Sequence, residues 1–296
     1  MKHWCAFILL LGTGYNIAAQ TRLPTQYKPV LNEGASQERA KSPYEGRQIR
    51  SLEFRGDHQV PSGAIRDSLK VKVGDAYSAE GFETDMDRLR VLIFGRRGYL
   101  RARLGEPQIE DSPGGLDIAV PVQAGLLYRW GAIKVEDATL FCPEEIIQIV
   151  GLESGEIADG YGFQLSLSRL DALYRDRGYF QFSVGFIPDF KQNSPDAEEG
   201  VVDITLELEE GEVFRIDRIQ FDGNSRTSDQ AIRRRLLIRE GDVYCESMLQ
   251  ESLSRLNSLG LFEKLTLEDA ALHINGNSGR LDITIRLKEK GRETDR

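Results

Sequence analysis

The chain has 296 residues, a formal net charge of −9 and a hydrophobic content of 40%. An acidic balance argues against nucleic acid as a ligand, because its phosphates require a cationic face. With only three cysteines, the chain is also not a disulfide-dense scaffold.

The first residues have the pattern of an export signal. A Lys-His pair precedes an apolar run from Trp4 to Leu11, and the small residues Ala18 and Ala19 follow. The apolar run is too short to span a bilayer as an anchor. We therefore predict a cleaved signal peptide at residues 1–19 and a mature chain that is exported and soluble, or peripheral at most.

One sequence pattern then recurs three times. It starts on a strand of alternating apolar residues that contains Phe54, Val135 or Phe221. Twenty residues later, each copy has a glycine followed by an acid: Gly74-Asp75, Gly155-Glu156 and Gly241-Asp242. Each copy closes on an alternating strand: Leu116-Asp117-Ile118, Val202-Asp203-Ile204 and Leu281-Asp282-Ile283. A period of about 80 residues indicates three small domains in series rather than one catalytic core.

Each copy reads as strand, helix, helix, strand, strand. The first helix is marked by apolar pairs at i, i+4 spacing: Ile65 and Leu69, Ile146 and Val150, Ile232 and Leu236. The Gly-acid pair is predicted to break that helix, with the acid at the positive end of the second helix. An apolar stripe marks the second helix, which we expect to end at a glycine: Gly98, Gly178 or Gly260.

Two helices can cover only one face of a three-stranded sheet. The predicted fold class is therefore α+β, with three tandem two-layer β-α-α-β-β domains, each a three-stranded mixed sheet covered by two helices. The predicted boundaries are a signal peptide at 1–19, a flexible linker at 20–47, domains at 48–125, 126–211 and 212–290, and a polar tail at 291–296.

The element order, the Gly-Asp between the helices and the glycine-aromatic end of the second helix resemble polypeptide-transport-associated (POTRA) domains. The resemblance covers residues 48–290 and looks most like the three-domain periplasmic arm of the barrel protein of the translocation and assembly module. It implies a periplasmic, non-enzymatic role in outer-membrane protein assembly or polypeptide translocation. The middle copy departs from the pattern, since Asp137-Ala138 follows its first strand in place of Gly-Asp or Gly-Asn.

In that family the last domain runs into a membrane barrel, whereas this sequence stops at Arg296. Even an eight-stranded barrel needs on the order of 100 further residues. We therefore expect a stand-alone periplasmic arm, with the periplasmic part of a split or truncated barrel protein as the first alternative. An envelope scaffold of the cell-division kind is the second alternative.

A three-stranded sheet has two edge strands, and their unpaired backbone groups can accept a further strand. The resemblance implies that the second strand of each domain is the receptive edge for outer-membrane barrel proteins, assembly factors or unfolded clients. The candidate residues are Leu100, Arg101, Ala102 and Arg103; Phe180, Gln181, Phe182, Ser183 and Val184; and Phe262, Glu263, Lys264 and Leu265. The alternation of Phe180, Phe182, Val184 and Phe186 also fits a face buried under the helices. Both interpretations can hold, because ladder bonds lie in the plane of the sheet.

Arg233-Arg234-Arg235 is the most concentrated charge in the sequence. A solvated helix face is the simpler interpretation. The alternative is contact with anionic lipid headgroups or with the acidic rim of a partner barrel.

We predict no catalytic residue, no metal and no cofactor. No Cys/His spacing is typical of zinc, and no glycine-rich phosphate loop occurs. The acidic pairs Asp85/Asp87 and Glu209/Glu210 are interpreted as solvated surface rather than as catalytic carboxylates. The alternative that stays open is an enzyme whose catalytic carboxylates come from two different copies.

Two cysteines remain after the predicted signal peptide, Cys142 and Cys245. A disulfide between them would require Cα atoms within about 7 Å. We expect two separate thiols, with a disulfide as the alternative.

Overall fold

The structure is a computed structural model that describes residues 42–57, 59–192, 194, 196–276 and 279–291. The predicted signal peptide, most of the predicted linker, His58 and the last five residues of the predicted tail lie outside the described residues. Within them, each copy follows the predicted order of strand, helix, helix, strand and strand, and the α+β fold class is confirmed.

Among the described residues, the first copy has four strands where each of the other two copies has three. Its elements are β1 (Ile49–Asp57), α1 (Ser62–Ser68), α2 (Ala79–Arg88), β2 (Arg103–Leu104), β3 (Gln108–Ser112) and β4 (Gly115–Gln123). α2 continues through a π-helical turn, Leu89–Phe94, and a 3₁₀ turn, Gly95–Arg97. The predicted second strand is therefore two short strands in this copy.

The other two copies follow the same order. The second contains β5 (Leu127–Glu136), α3 (Pro143–Val150), α4 (Gly160–Arg175), β6 (Ser183–Lys191) and β7 (Glu199–Glu209). The third contains β8 (Arg215–Asp222), α5 (Asp229–Arg233), α6 (Glu246–Asn257), β9 (Ala270–Ile274) and β10 (Arg280–Arg286). A 3₁₀ turn, Leu267–Asp269, leads into β9.

In every sheet the last strand of the copy is central. The first strand pairs with it in parallel and the second strand pairs with it antiparallel. Both neighbours of the central strand are therefore edge strands, and this topology determines where further pairing can occur.

Each core lies between the helices and one face of its sheet. In the first copy, Ile65 of α1, Phe82 of α2 and Ile118 of β4 are at most 3% exposed and share one hydrophobic cluster. Ile232, Leu249 and Ile283 occupy the equivalent positions in the third copy, again nearly fully buried. The i, i+4 pattern of the first helix and the stripe of the second predict these faces correctly.

The chain divides into two compact units. One contains the described residues up to Leu173 together with Gln181–Glu210, and the other contains Tyr174–Phe180 together with the described residues from Gly211 onward. The last two residues of α4 and the five residues after it are therefore grouped with the third copy.

The Gly-acid pair does not start the second helix as predicted. Gly74 N–H donates to the Ile49 carbonyl at 2.7 Å, and Ile49 N–H donates to the Asp75 carbonyl at 2.9 Å. The same two bonds join Gly155 and Glu156 to Trp130, and Gly241 and Asp242 to Ile216. The second helix begins only four residues after the acid in each copy. The pair therefore closes a turn on the start of the first strand.

The glycines that follow the second helices adopt the left-handed conformation. The φ angles are +85° at Gly98, +93° at Gly178 and +69° at Gly260. Gly98 directly follows the 3₁₀ turn, while Gly178 and Gly260 close turns three residues beyond the ends of α4 and α6. These positions favour glycine because a Cβ is strained at positive φ.

Candidate functional site

The second copy has the longest second-strand edge among the described residues. β6 pairs with β7 along nine residues, whereas β9 in the third copy has five. Backbone groups along an edge strand alternate between facing its partner and facing outward. The outward row of β6 is thus available to pair with a further strand.

Pro188 interrupts that outward row. A proline is accepted in a paired strand where its nitrogen faces away from the partner strand, because it has no N–H to donate. Alternation along the strand then places the N–H groups of Val184, Phe186 and Phe190 on the same outward side. An added strand would find a donor at Val184 and none at Pro188.

A different proline divides the edge of the first copy. β2 ends at Leu104 and β3 begins at Gln108, opposite the part of β4 that contains Pro121. Pro121 offers its neighbours no N–H, and its carbonyl accepts Gly105 N–H at 2.8 Å. A Cβ at Gly105 would lie 3.2 Å from the Pro121 Cβ. The chain therefore leaves the ladder here, and the first copy has no continuous second-strand edge.

The predicted edge residues of the first copy mostly precede the strand. Leu100, Arg101 and Ala102 lie before β2, and Arg103 opens it. Ala102 is buried. The predicted strand start is therefore too early here.

In the second copy the predicted edge overlaps the true strand at two residues. Phe180, Gln181 and Phe182 precede β6, and Ser183 and Val184 begin it. Phe182 and Val184 are buried. The predicted buried face is thus present, but it starts after Phe180.

In the third copy the strand prediction is wrong. β9 begins at Ala270, and the predicted residues lie before it: Phe262, Glu263, Lys264 and Leu265. Glu263 N–H donates to the Lys288 carbonyl at 2.8 Å. Both backbone groups of Leu265 bond to the Asn257 side chain at 2.8 Å. These backbone groups are already paired, so they are not open to an added strand.

The residues after the helix-ending glycine contact the next copy, and we call these contacts joints. Their apolar side chains explain why the predicted second strands start too early in the sequence. The Gly98 carbonyl accepts Tyr128 N–H at 2.8 Å. Leu100 lies against Gly160, where a Cβ would come within 2.8 Å of Leu100 Cδ2. The apolar residue two positions after the glycine is therefore used to contact the next copy.

The other unit contains the same kind of joint. The Gly178 carbonyl accepts Phe214 N–H at 2.9 Å, and a Cβ at Gly178 would lie 2.6 Å from Val243 Cγ1. The Phe180 ring lies 5.6 Å from that of Tyr244 and 6.1 Å from that of Phe214, both edge-on. Phe180 is therefore a joint residue rather than an edge residue.

The aspartates of the first two closing strands have a structural role that we did not predict. Asp203 Oδ1 accepts Ala132 N–H at 2.7 Å, across a bulge in β5. Asp117 accepts the Ser51 hydroxyl at 2.6 Å and Arg50 Nε at 2.8 Å, again beside a bulge. The Arg50 and Ser51 bonds lower the pKa of Asp117. The recurring apolar-Asp-Ile motif was the signal for this role.

Two glutamates lie seven residues after that aspartate, and the surface interpretation of Glu210 is wrong. Glu210 is buried and accepts the N–H groups of Thr139 and Leu140 at 2.8 and 3.0 Å. Glu289 accepts Thr227 N–H at 2.8 Å. Hydrogen bonds from Thr227, and then from its neighbour Arg226, lower the pKa of Glu289 to about 2. The first copy has Ala124 at this position.

The surface interpretation of Asp85 is also wrong. Asp85 is 1% exposed, and its Oδ2 accepts the N–H groups of Lys70 and Val71 at 2.7 and 2.8 Å. Ser252, at the equivalent helix position, accepts Leu237 N–H at 2.8 Å. A buried polar residue on the second helix therefore accepts hydrogen bonds from backbone N–H groups just after the first helix.

All three arginines of the triplet are exposed, but Arg233 is held by neighbouring side chains. Arg233 Nη1 lies 3.2 Å from Glu240 Oε1, and its guanidinium lies 5.3 Å from the centroid of the Phe221 ring. Arg234 and Arg235 are exposed. The triplet is thus not a single uniform patch.

Cys142 and Cys245 are both free cysteines, and Cys142 is exposed before α3. In the part of the chain that the structure describes, no group of three or more His, Cys, Asp or Glu is placed to hold a metal ion. None of the described helices combines the length and apolar character needed to cross a bilayer.

The repeated sheet, its parallel outer strand and its joints define a protein of tandem β-α-α-β-β domains. The POTRA family, described as a surface antigen variable number repeat, matches residues 48–125, 128–211 and 214–290. The chain belongs to this family.

The curated relatives include outer membrane protein assembly factors BamA. The one from Neorickettsia risticii (strain Illinois) is 28% identical over 257 residues, which cover 82% of this chain and 33% of the relative. The one from Neisseria meningitidis serogroup B is 24% identical over 265 residues, which cover 88% and 32% respectively. The chain thus spans about a third of the length of these relatives.

Among solved structures, POTRA3–5 of Haemophilus influenzae BamA has a TM-score of 0.68 at 20% identity. The match covers 84% of this chain and 99% of that one, and it shows a shared fold. The resemblance to tandem POTRA domains is therefore confirmed.

Proposed function

We propose that this chain is a non-enzymatic periplasmic scaffold for outer-membrane protein assembly or polypeptide translocation, and that it binds extended polypeptides at β6. The observation that carries the proposal is the nine-residue edge of β6. Membership of the POTRA family and relatives named as assembly factors support the role. The proposed partners are outer-membrane barrel proteins, their assembly factors or unfolded clients.

Binding by strand addition is mainly a contact between backbones, so it tolerates many client sequences. The outward N–H group of Val184 supplies a donor, and Pro188 limits the length of the added ladder. Such a short edge supports roughly micromolar to millimolar affinity. Useful affinity then requires linkage to further contacts in the same complex.

In-cell photo-crosslinking tests the proposal directly. A photoreactive residue at Ile187, on β6 and 52% exposed, is compared with one at Leu165, on α4 of the same copy and 42% exposed. We expect outer-membrane barrel proteins or their assembly factors to be captured at Ile187 and not at Leu165. Mass spectrometry that identifies only cell-division or peptidoglycan proteins at Ile187, or the same proteins at both positions, would refute it.

A proline variant tests whether the β6 backbone makes the contact. Pro188→Ala restores an N–H to the outward row, so capture at Ile187 should increase. Unchanged capture would mean that side chains rather than the edge backbone hold the partner.

A second candidate is the periplasmic part of a barrel protein encoded separately or in a longer chain. It is favoured by relatives about three times as long as the matched segment. Affinity purification of the tagged chain from detergent-solubilised membranes would recover a stoichiometric barrel under this hypothesis and not under that of an independent scaffold.

A further inference from the structure

The third copy contains a cationic groove with a volume of about 710 Å³. Arg233, Arg234 and Arg239 line it, and Leu236 and Ile238 contribute its apolar part. Arg239 is six residues after Arg233 in the sequence, and the turn after α5 brings it to the same groove as Arg233 and Arg234. Arg235 does not line the groove.

The acidic residues of the groove are already engaged. Glu240 Oε1 accepts Ile219 N–H at 3.0 Å and lies 3.2 Å from Arg233 Nη1. The Asp229 carboxylate accepts the Asn224 amide at 2.8 Å. By contrast, the exposed guanidinium groups of Arg234 and Arg239 face no acidic partner within hydrogen-bond distance among the described residues.

The backbone around the groove is engaged as well. The N–H groups of Arg234, Arg235 and Leu236 donate to carbonyls within the helical turn, and Arg239 N–H donates to the Asp242 carboxylate. An extended polypeptide would find no row of backbone partners there. The groove is therefore suited to a ligand that side chains recognise.

We propose that this groove binds the phosphate of an anionic lipid headgroup. Guanidinium groups match phosphate oxygens with two parallel hydrogen bonds, and they lose little hydration on binding. Basic side chains near an anionic leaflet are attracted strongly enough for several together to hold a protein there.

This inference does not rest on strand addition, because the groove and β6 belong to different copies. Lipid binding by the third copy would orient the chain at a membrane surface. The net charge of −9 would keep the rest of the chain from binding there by charge alone.

Vesicle co-sedimentation of the full chain tests the proposal, with phosphatidylcholine vesicles that contain or lack phosphatidylglycerol. The test variant is R234E/R239E, since neither side chain makes a hydrogen bond within the part of the chain that the structure describes. The matched control is K264E/R286E, which makes the same charge change at exposed positions of the same copy. We expect the wild type and the control to sediment with phosphatidylglycerol vesicles, and R234E/R239E to bind at least about tenfold more weakly.

Three results would overturn the proposal. The first is equal loss in the two double variants, which would indicate general charge attraction. The second is wild-type binding to vesicles without phosphatidylglycerol that equals binding to those with it. The third is saturable binding of inorganic phosphate or of poly-glutamate in the absence of vesicle binding, which would assign the groove to a free anion or to an acidic polypeptide. R234Q/R239Q provides a second variant that removes charge without reversal, and thermal unfolding verifies that each variant is folded.

Discussion

Single glycines in this chain meet different demands even where the backbone is the same. Gly178 and Gly241 both have φ of +93°. At Gly178 a Cβ would meet Val243 and Val213 at 2.6 and 3.0 Å, whereas at Gly241 nothing lies within 4 Å. The pair therefore separates the cost of backbone strain from the cost of crowding at a joint.

We expect Gly241→Ala to lower the free energy of unfolding by about 1–2 kcal/mol, the cost of placing an alanine in the left-handed region. Gly178→Ala should cost about 1–3 kcal/mol more, because the joint must also move. Urea denaturation of the two variants measures the difference. Equal losses of unfolding free energy in the two variants would show that the joint accommodates the added Cβ without cost.

Glu289 gives the third copy a defined acid sensitivity. Its pKa falls from an ordinary 4.5 to about 2 in the folded state. Its contribution to the free energy of unfolding is therefore present above pH 4.5 and is lost as the pH falls from there toward 2. We expect Glu289→Gln to be less stable at neutral pH and to show a shallower fall in stability across this window. The same slope in both proteins would contradict the assigned role of Thr227 and Arg226.

At the scale of elements, a buried polar side chain on the second helix is hydrogen-bonded to the backbone just after the first helix. Asp85 provides it in the first copy, and Ser252 provides it in the third. Asp85 Oδ1 is also buried, and it has no hydrogen-bond partner among the described residues. The first copy therefore carries an unsatisfied buried acceptor that the serine avoids.

We expect Asp85→Ala to cost about 1–3 kcal/mol, because it leaves the N–H groups of Lys70 and Val71 without a partner. Asp85→Ser should cost less, since it keeps an acceptor and removes the unsatisfied oxygen. Denaturant unfolding of both variants measures this difference in the free energy of unfolding. A serine variant as unstable as the alanine variant would show that the serine hydroxyl cannot replace the carboxylate.

Elements that depend on local periodicity could be predicted from the sequence, and those that depend on distant partners could not. The pairs Ile65/Leu69 and Ile146/Val150 identify buried helix faces because i, i+4 spacing determines the face directly. Leu100 and Phe180 look like strand residues, but they contact groups of another copy, which no local pattern reveals. Likewise, only the fold shows that Glu210 reaches the backbone of Thr139, about 70 residues earlier in the chain.

At the scale of the whole molecule, the division into two units makes Tyr174–Phe180 part of the third copy's unit. Amide protection reports such cooperative units. Leu256→Ala removes a fully buried side chain of the third copy and should destabilise that unit by about 2–5 kcal/mol. Hydrogen exchange should then accelerate at 174–180 and remain unchanged at 161–173.

The matched control creates a cavity of the same kind in the other compact unit. Leu116→Ala removes an equally buried side chain of the first copy and should leave exchange at 174–180 unchanged. If Leu256→Ala accelerates exchange along the whole of α4, the helix belongs to one cooperative unit and the division does not describe its stability.

Each of the three described sheets has two edge strands, and edge strands are the ingredient of a cross-β fibre, in which each chain would template the next. Pro188 interrupts the β6 edge in the middle of its hydrogen-bonding row, and Pro121 of the central strand β4 divides the second-strand edge of the first copy. A second copy laid along either edge would lose its register of bonds after a few residues. These two interruptions therefore oppose polymerisation of the chain along its own strand edges.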